Sequence, residues 1–120
     1  MIGLTTHVLD AVHGAGAAGV RVDLSILDGG HYRLLRTVHT RENGRAELLG
    51  EEMAIGEYEI VFAVADYFRR RGIAMPDPSF FDEVPVRFGI ADARRHYHVP
   101  LIASPWTYST YRGGLPPKGQ

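Results

Sequence analysis

The sequence predicts an all-β sandwich interrupted by one short helix. Three observations carry that expectation. Short runs of alternating apolar and polar residues recur along the chain. Clusters of Gly, Asn, Asp and Pro separate those runs. A single stretch, following Asp66, reads as helix rather than strand. Seven or so strands divided by turns in this way need two layers to bury their apolar faces.

Residues 4–10 form the first strand, with Thr5, His7 and Leu9 on one face and Thr6, Val8 and Asp10 on the other. The sequence His-Gly-Ala-Gly-Ala-Ala-Gly at 13–19 makes a flexible turn. Residues 20–27 alternate, so that Val20, Val22, Leu24 and Ile26 face a core. Asp28-Gly29-Gly30 marks a hairpin into a third strand at 32–40. Glu42-Asn43-Gly44 turns the chain again and presents Arg45. Residues 48–55 are weakly patterned and read as loop, with room for a short edge strand. A further strand covers 57–64.

Asp66 is expected to N-cap a helix that runs to Arg71 and stops at Gly72. The basic run 69–71 suits the negative end of that helix. After a proline loop at 75–79, residues 84–90 alternate with Val84, Val86, Phe88 and Ile90 inward. Residues 96–103 and 107–112 are two strands around a Ser104-Pro105-Trp106 turn. Phe88 and Trp106 are read as core.

With 120 residues the chain has the size of one domain, residues 1–120, and its 45% hydrophobic content supplies a real core. The net charge of −1 offers no basic surface for nucleic acid or an anionic membrane. No apolar run approaches the roughly 18 residues of a membrane span, and no secretory signal is visible. Cysteine is absent, which removes disulfides, thiolate ligands and thiol nucleophiles and fits a cytoplasmic location.

Histidine is the side chain whose pKa, about 6.5, suits proton transfer near neutral pH. Of six histidines, His13, His31 and His39 lie in or beside turns and are expected at the surface. His98 shares a strand face with Pro100 and Ile102, and Ser109 shares one with Tyr111 on the next strand. If these strands pair, an imidazole, hydroxyls and an aromatic ring gather on one surface. His96 and His98 are also same-face neighbours about 6.6 Å apart. Together with His7 they invite a metal reading, but no Cys, Asp or Glu joins them at a metal-site spacing. No metal or other cofactor is therefore expected, and His96 is read as a strand-entry residue at the rim. Neither Ser109 nor any other serine sits in a Gly-x-Ser-x-Gly elbow. Ser109 and Thr110 are expected to satisfy local hydrogen bonds.

The motifs Leu-Thr-Thr-His-Val-Leu-Asp at 4–10, Phe-Asp-Glu-Val-Pro-Val-Arg-Phe-Gly-Ile-Ala-Asp at 81–92 and His-Tyr-His-Val-Pro-Leu-Ile-Ala-Ser-Pro-Trp-Thr-Tyr-Ser-Thr-Tyr-Arg-Gly-Gly at 96–114 add a second line of argument. In this order they resemble the 5-hydroxyisourate hydrolases, the transthyretin-related enzymes of purine breakdown. The resemblance covers roughly residues 4–114. It implies a transthyretin-like sandwich of two four-stranded sheets with one short helix. It implies hydrolysis of 5-hydroxyisourate without a metal, in a homotetramer whose sites lie in the channel between two dimers. His7, Arg45 and His98 match the family's catalytic residues, while Tyr111, Arg112 and Gly113 are placed to bind substrate. Where the family ends Tyr-Arg-Gly-Ser, this chain has Gly114 and then residues 115–120, expected to form a flexible tail. Two other classes compete with this reading. A small-molecule carrier would be expected to lack the polar set His7, Arg45 and His98, and a plain adhesion or scaffolding module would show no catalysis.

Overall fold

The structure, a computed structural model, describes residues 2–114. The predicted 115–120 tail lies outside the described residues. Among the described residues nine strands and one helix follow in the order β1 (Gly3–Asp10), β2 (Ala15–Gly16), β3 (Arg21–Asp28), β4 (His31–His39), β5 (Arg45–Leu49), β6 (Gly56–Ala63), α1 (Val64–Arg70), β7 (Glu83–Ile90), β8 (His96–Ala103) and β9 (Tyr108–Thr110). They form two sheets. One has the order β2-β1-β8-β9, with β5 also paired to β1; the other has the order β4-β3-β6-β7.

The two-sheet sandwich agrees with expectation. The strand count differs by one, because the glycine- and alanine-rich turn contains β2, whose two residues pair with Leu9 and Asp10 and give that sheet five strands. The weakly patterned region also resolves at its start: β5 is an edge strand against residues 4–7 of β1, and Arg45 is its first residue. The Gly29-Gly30 loop closes the β3–β4 hairpin, with Asp28 opposite His31.

The core lies between the sheets. Leu4 and Val8 from β1, Val22 and Leu24 from β3, Ile60 and Phe62 from β6, and Leu101 from β8 are almost wholly buried. Full burial of each such side chain stabilises the fold by about 1.5–3 kcal/mol. Two sequence expectations fail here. Trp106 is 58% exposed, because the 104–106 turn projects past the end of the sheets. Asp66 is not an N-cap. β6 runs straight into α1, leaving Ala63 at the cap position with no side-chain hydrogen bond, and Asp66 falls inside the first turn. The backbone N–H of Ala65 instead donates to the Asp82 carbonyl, which takes over part of the capping role. Tyr67 and Phe68 pin the helix to the core.

Candidate functional site

One alternation in β1 sets up the site. Leu4, Thr6, Val8 and Asp10 point inward, which turns Thr5, His7 and Leu9 to the outer face of the five-stranded sheet. β8 runs parallel to β1 in a register that sets Thr5 beside His98 and His7 beside Pro100. β5 runs antiparallel on the other side and sets Arg45 opposite His7. Three residues far apart in the sequence thus share one face of three adjacent strands.

Asn43 and Gly44 fix the His7–Arg45 pair. Gly44 has φ +85°, and a Cβ there would lie 2.2 Å from the Val8 carbonyl oxygen, so only glycine fits. The Gly44 carbonyl in turn accepts from the Val8 N–H at 2.8 Å. The Asn43 side-chain oxygen accepts from the Arg45 N–H at 3.0 Å, and its backbone carbonyl lies 2.8 Å from His7 Nε2. A carbonyl only accepts, so His7 carries a proton on Nε2, and in the neutral ring Nδ1 is the basic atom.

His98 is held from two sides. Its Nδ1 lies 2.8 Å from Thr5 Oγ1. Behind it, the chain leaving β9 folds back so that the Gly113 N–H donates to the His98 carbonyl at 2.7 Å. A Cβ at Gly113 would come within 2.6 Å of His98 Cδ2, so glycine lets the backbone lie against the imidazole. Burial pushes the His98 pKa down, and the Arg45 guanidinium, His7 and His96 push it further the same way. These effects favour the neutral ring of His98 over the protonated one.

His96 begins β8 as expected, but it is buried, 9% exposed, and not a rim residue. Its Nε2 lies 3.1 Å from the same Thr5 hydroxyl. Among the described residues no group of three or more His, Cys, Asp or Glu is arranged to hold a metal ion. Thr5 Oγ1 lies within hydrogen-bonding distance of one ring nitrogen of each member of the His96–His98 pair.

The remaining candidates lie on the β9 side. Tyr111 is 55% exposed. Arg112 stacks over the Tyr97 ring, 4.8 Å from its centroid. Both line a cleft of about 250 Å³ with His98 and Phe88. His7 and Arg45 line a separate, open concavity with Asn43 and Ile102. Arg45 also reaches a third hollow of about 420 Å³, with Thr5, Arg41 and His96. The structure thus brings His7, Arg45 and His98 to one face and puts Tyr111 and Arg112 across His98 from them. Sequence reasoning missed Thr5 and Asn43. Alternation along β1 places Thr5 on the His7 face, but its position between two histidines depends on a strand pairing across more than 90 residues.

Comparison with known proteins bears on this arrangement. The sequence profile of the HIUase/Transthyretin family matches residues 4–113. The chain belongs to that family. The matched range contains every residue of the candidate site just described. The chain is 54% identical to 5-hydroxyisourate hydrolase 2 of Rhizobium meliloti (strain 1021), over 92% of this chain and 94% of that one. Among solved structures it is similar to (S)-allantoin synthase, with a TM-score of 0.85 and 38% identity, covering 93% of this chain and 43% of that one. Sea bream transthyretin, solved with thyroxine, superposes with a TM-score of 0.84 over 98% of this chain and 99% of that one, at 24% identity. That likeness bears on the fold alone: the sandwich is transthyretin-like.

Proposed function

We propose that this chain hydrolyses 5-hydroxyisourate to 2-oxo-4-hydroxy-4-carboxy-5-ureidoimidazoline, opening the six-membered ring at an amide. The observation that carries the reading is the gathering of His7, Arg45 and His98 on one sheet face in a chain of this family. Ring opening needs a base for water, a group for the oxyanion and a proton for the leaving nitrogen.

His7 is the base. Its Nε2–H is engaged by the Asn43 carbonyl, so Nδ1 takes the proton from water. The water oxygen adds to the ring carbonyl, and the Arg45 guanidinium stabilises the oxyanion. Collapse breaks the ring C–N bond, and the proton held at His7 Nδ1 passes to the departing nitrogen. The carbonyl carbon leaves as a carboxyl group and His7 is restored. His98, neutral and half-buried, faces the same reaction. Tyr111, Arg112 and Gly113 bound the site on the β9 side.

The assembly is a homotetramer, a dimer of dimers, with the sites in the channel between dimers. Two features support it. Among the described residues β7 and β9 each end a sheet with one side unpaired, a liability that edge-to-edge association removes. The outer face of the five-stranded sheet also sets the half-buried Ile102 beside the polar set, an apolar side chain that a partner could cover. The enzyme works in the cytoplasm. Among the described residues no helix is long and apolar enough to cross a membrane.

The deciding experiment is an ultraviolet assay with freshly generated 5-hydroxyisourate. The wild-type chain should accelerate its decay well beyond the spontaneous rate. His7→Ala and His98→Ala should each lower turnover by about 10²-fold or more with the fold intact. Wild-type rates in both variants would overturn the assignment.

A further inference from the structure

The chemistry above leaves open what His98 does, and makes no use of the Thr5 hydroxyl that links it to His96. Thr5 Oγ1 lies 3.1 Å from His96 Nε2 and 2.8 Å from His98 Nδ1. A threonine hydroxyl has one hydrogen to give and lone pairs to receive. At most one of the two imidazoles can accept from it, so the other must donate. His96 decides the direction. Its Nδ1 is buried and has no partner among the described residues. Buried N–H groups without an acceptor are rare, so the single hydrogen of a neutral His96 belongs on Nε2, where the Thr5 oxygen accepts it. Thr5 then turns its own hydrogen to His98 Nδ1, its only other partner among the described residues. With Nδ1 accepting, His98 carries its proton on Nε2.

We infer that His96 and Thr5 are positioning residues that lock His98 in the Nε2–H form, which makes His98 a neutral hydrogen-bond donor to the substrate and not a second base. This rests on the hydrolase reading. It divides the labour between two histidines that sequence alone leaves equivalent. His7, with its proton pinned on Nε2 by Asn43, has Nδ1 free to take a proton. His98, with Nδ1 filled by Thr5, joins Arg45 in stabilising the oxyanion. A neutral donor is what the surroundings of His98 favour. The charged or titratable groups about it are His96 on its own strand, His7 on β1, Arg45 on β5, Arg87 on β7, and Tyr111 and Arg112 beyond β9. Burial first, then Arg45, His7 and His96, hold its pKa below the ordinary histidine value, against a smaller opposing effect of the Thr5 backbone.

The test has two arms. The first reads the tautomer directly in the wild-type protein and needs no substrate, so it stands apart from the hydrolase assignment. Two-bond ¹H–¹⁵N correlation spectra at neutral pH should show His98 protonated at Nε2 with Nδ1 bare. A protonated Nδ1 on His98 overturns the inference. The second arm is kinetic. Thr5→Ser keeps the hydroxyl and should stay within about threefold of wild type in kcat. Thr5→Val removes it and should lower kcat about 10-fold or more with KM little changed, the pattern of an interaction made in the transition state. His96→Gln, whose amide N–H can replace Nε2–H, should follow Thr5→Ser, and His96→Leu should follow Thr5→Val. A folded Thr5→Val enzyme with wild-type kcat overturns the proposal. If Thr5→Val does not fold, the wild-type spectrum still decides it. Absence of hydrolysis in the wild type would sink the function while leaving the spectral result to stand or fall alone.

Discussion

His98 shows how one side chain is tuned by what surrounds it. Desolvation lowers its pKa most, and Arg45 is the next contributor. The sign for folding follows: the native state disfavours the protonated ring, so stability from this group is present above the unfolded pKa of 6.5 and is lost as pH falls through the lower folded value. An NMR titration of His98 should therefore give a midpoint below 6.5. Arg45→Met should move that midpoint upward without bringing it to 6.5, because burial remains. The same substitution should damage turnover while leaving Tm near wild type, since an exposed arginine at the start of an edge strand contributes little packing. A midpoint unchanged in Arg45→Met would mean that the guanidinium does not act on this ring.

At the level of elements, the segment after β9 is a positioning device for β8. Gly113→Ala would drive a Cβ into the His98 ring at 2.6 Å, and the imidazole would have to shift. Misplacement of a reacting group by about 1 Å can cost about 10²-fold. Gly113→Ala should thus lower kcat on that scale with a smaller loss of thermal stability. Gly44→Ala should do the reverse. It strains the β5 turn against the Val8 carbonyl, so Tm should fall first. Comparing kcat and Tm across the two variants checks both. These glycines also mark the limit of what the sequence disclosed. The strands over 20–27 and 84–90 were legible because inward apolar residues repeat at every second position. The candidate trio His7, Arg45 and His98 was legible through motif resemblance. Thr5 and Asn43 were not, because a hydroxyl between two rings and a backbone carbonyl against a third are products of strand register, which no local pattern encodes. Trp106, read as core, is carried outward by the geometry of the 104–106 turn. Asp66 was misread because a strand that passes directly into a helix leaves no separate capping position.

For the molecule as a whole, acid stability and assembly are the accessible observables. Asp10 ends β1 with a buried carboxylate. Burial raises its pKa, but hydrogen bonds from the Tyr67 hydroxyl at 2.7 Å, from His13 and from the Val12 N–H outweigh that and lower it. Tyr67 is correspondingly pushed up to about 12, by burial and by Asp10. Because the folded pKa of Asp10 is depressed, its contribution is present above the unfolded value of 3.8 and is lost as pH falls below it. Asp10→Asn should lower stability at neutral pH by about 1.5–3 kcal/mol, the scale of hydrogen bonds to a charged group, and should flatten the loss of Tm below about pH 4. Equal acid sensitivity in wild type and variant would rule out that role. Light scattering at micromolar concentration should give a four-chain mass, and a fully active monomer would overturn the proposed assembly. The parallel pairing of β1 with β8 has one more consequence, for the order in which activity is acquired. Residues 3–10 and 96–103 sit at opposite ends of the chain and meet as neighbours. Closing so long a loop is entropically late. A chain emerging from the ribosome can build the β3–β4 hairpin early, but it cannot set Thr5 beside His98, or His7 beside Pro100, until residues 96–103 have been made. Catalytic competence therefore waits on the synthesis of β8, and a circular permutant that links β8 to β1 and opens the β3–β4 loop would bring the two strands together sooner.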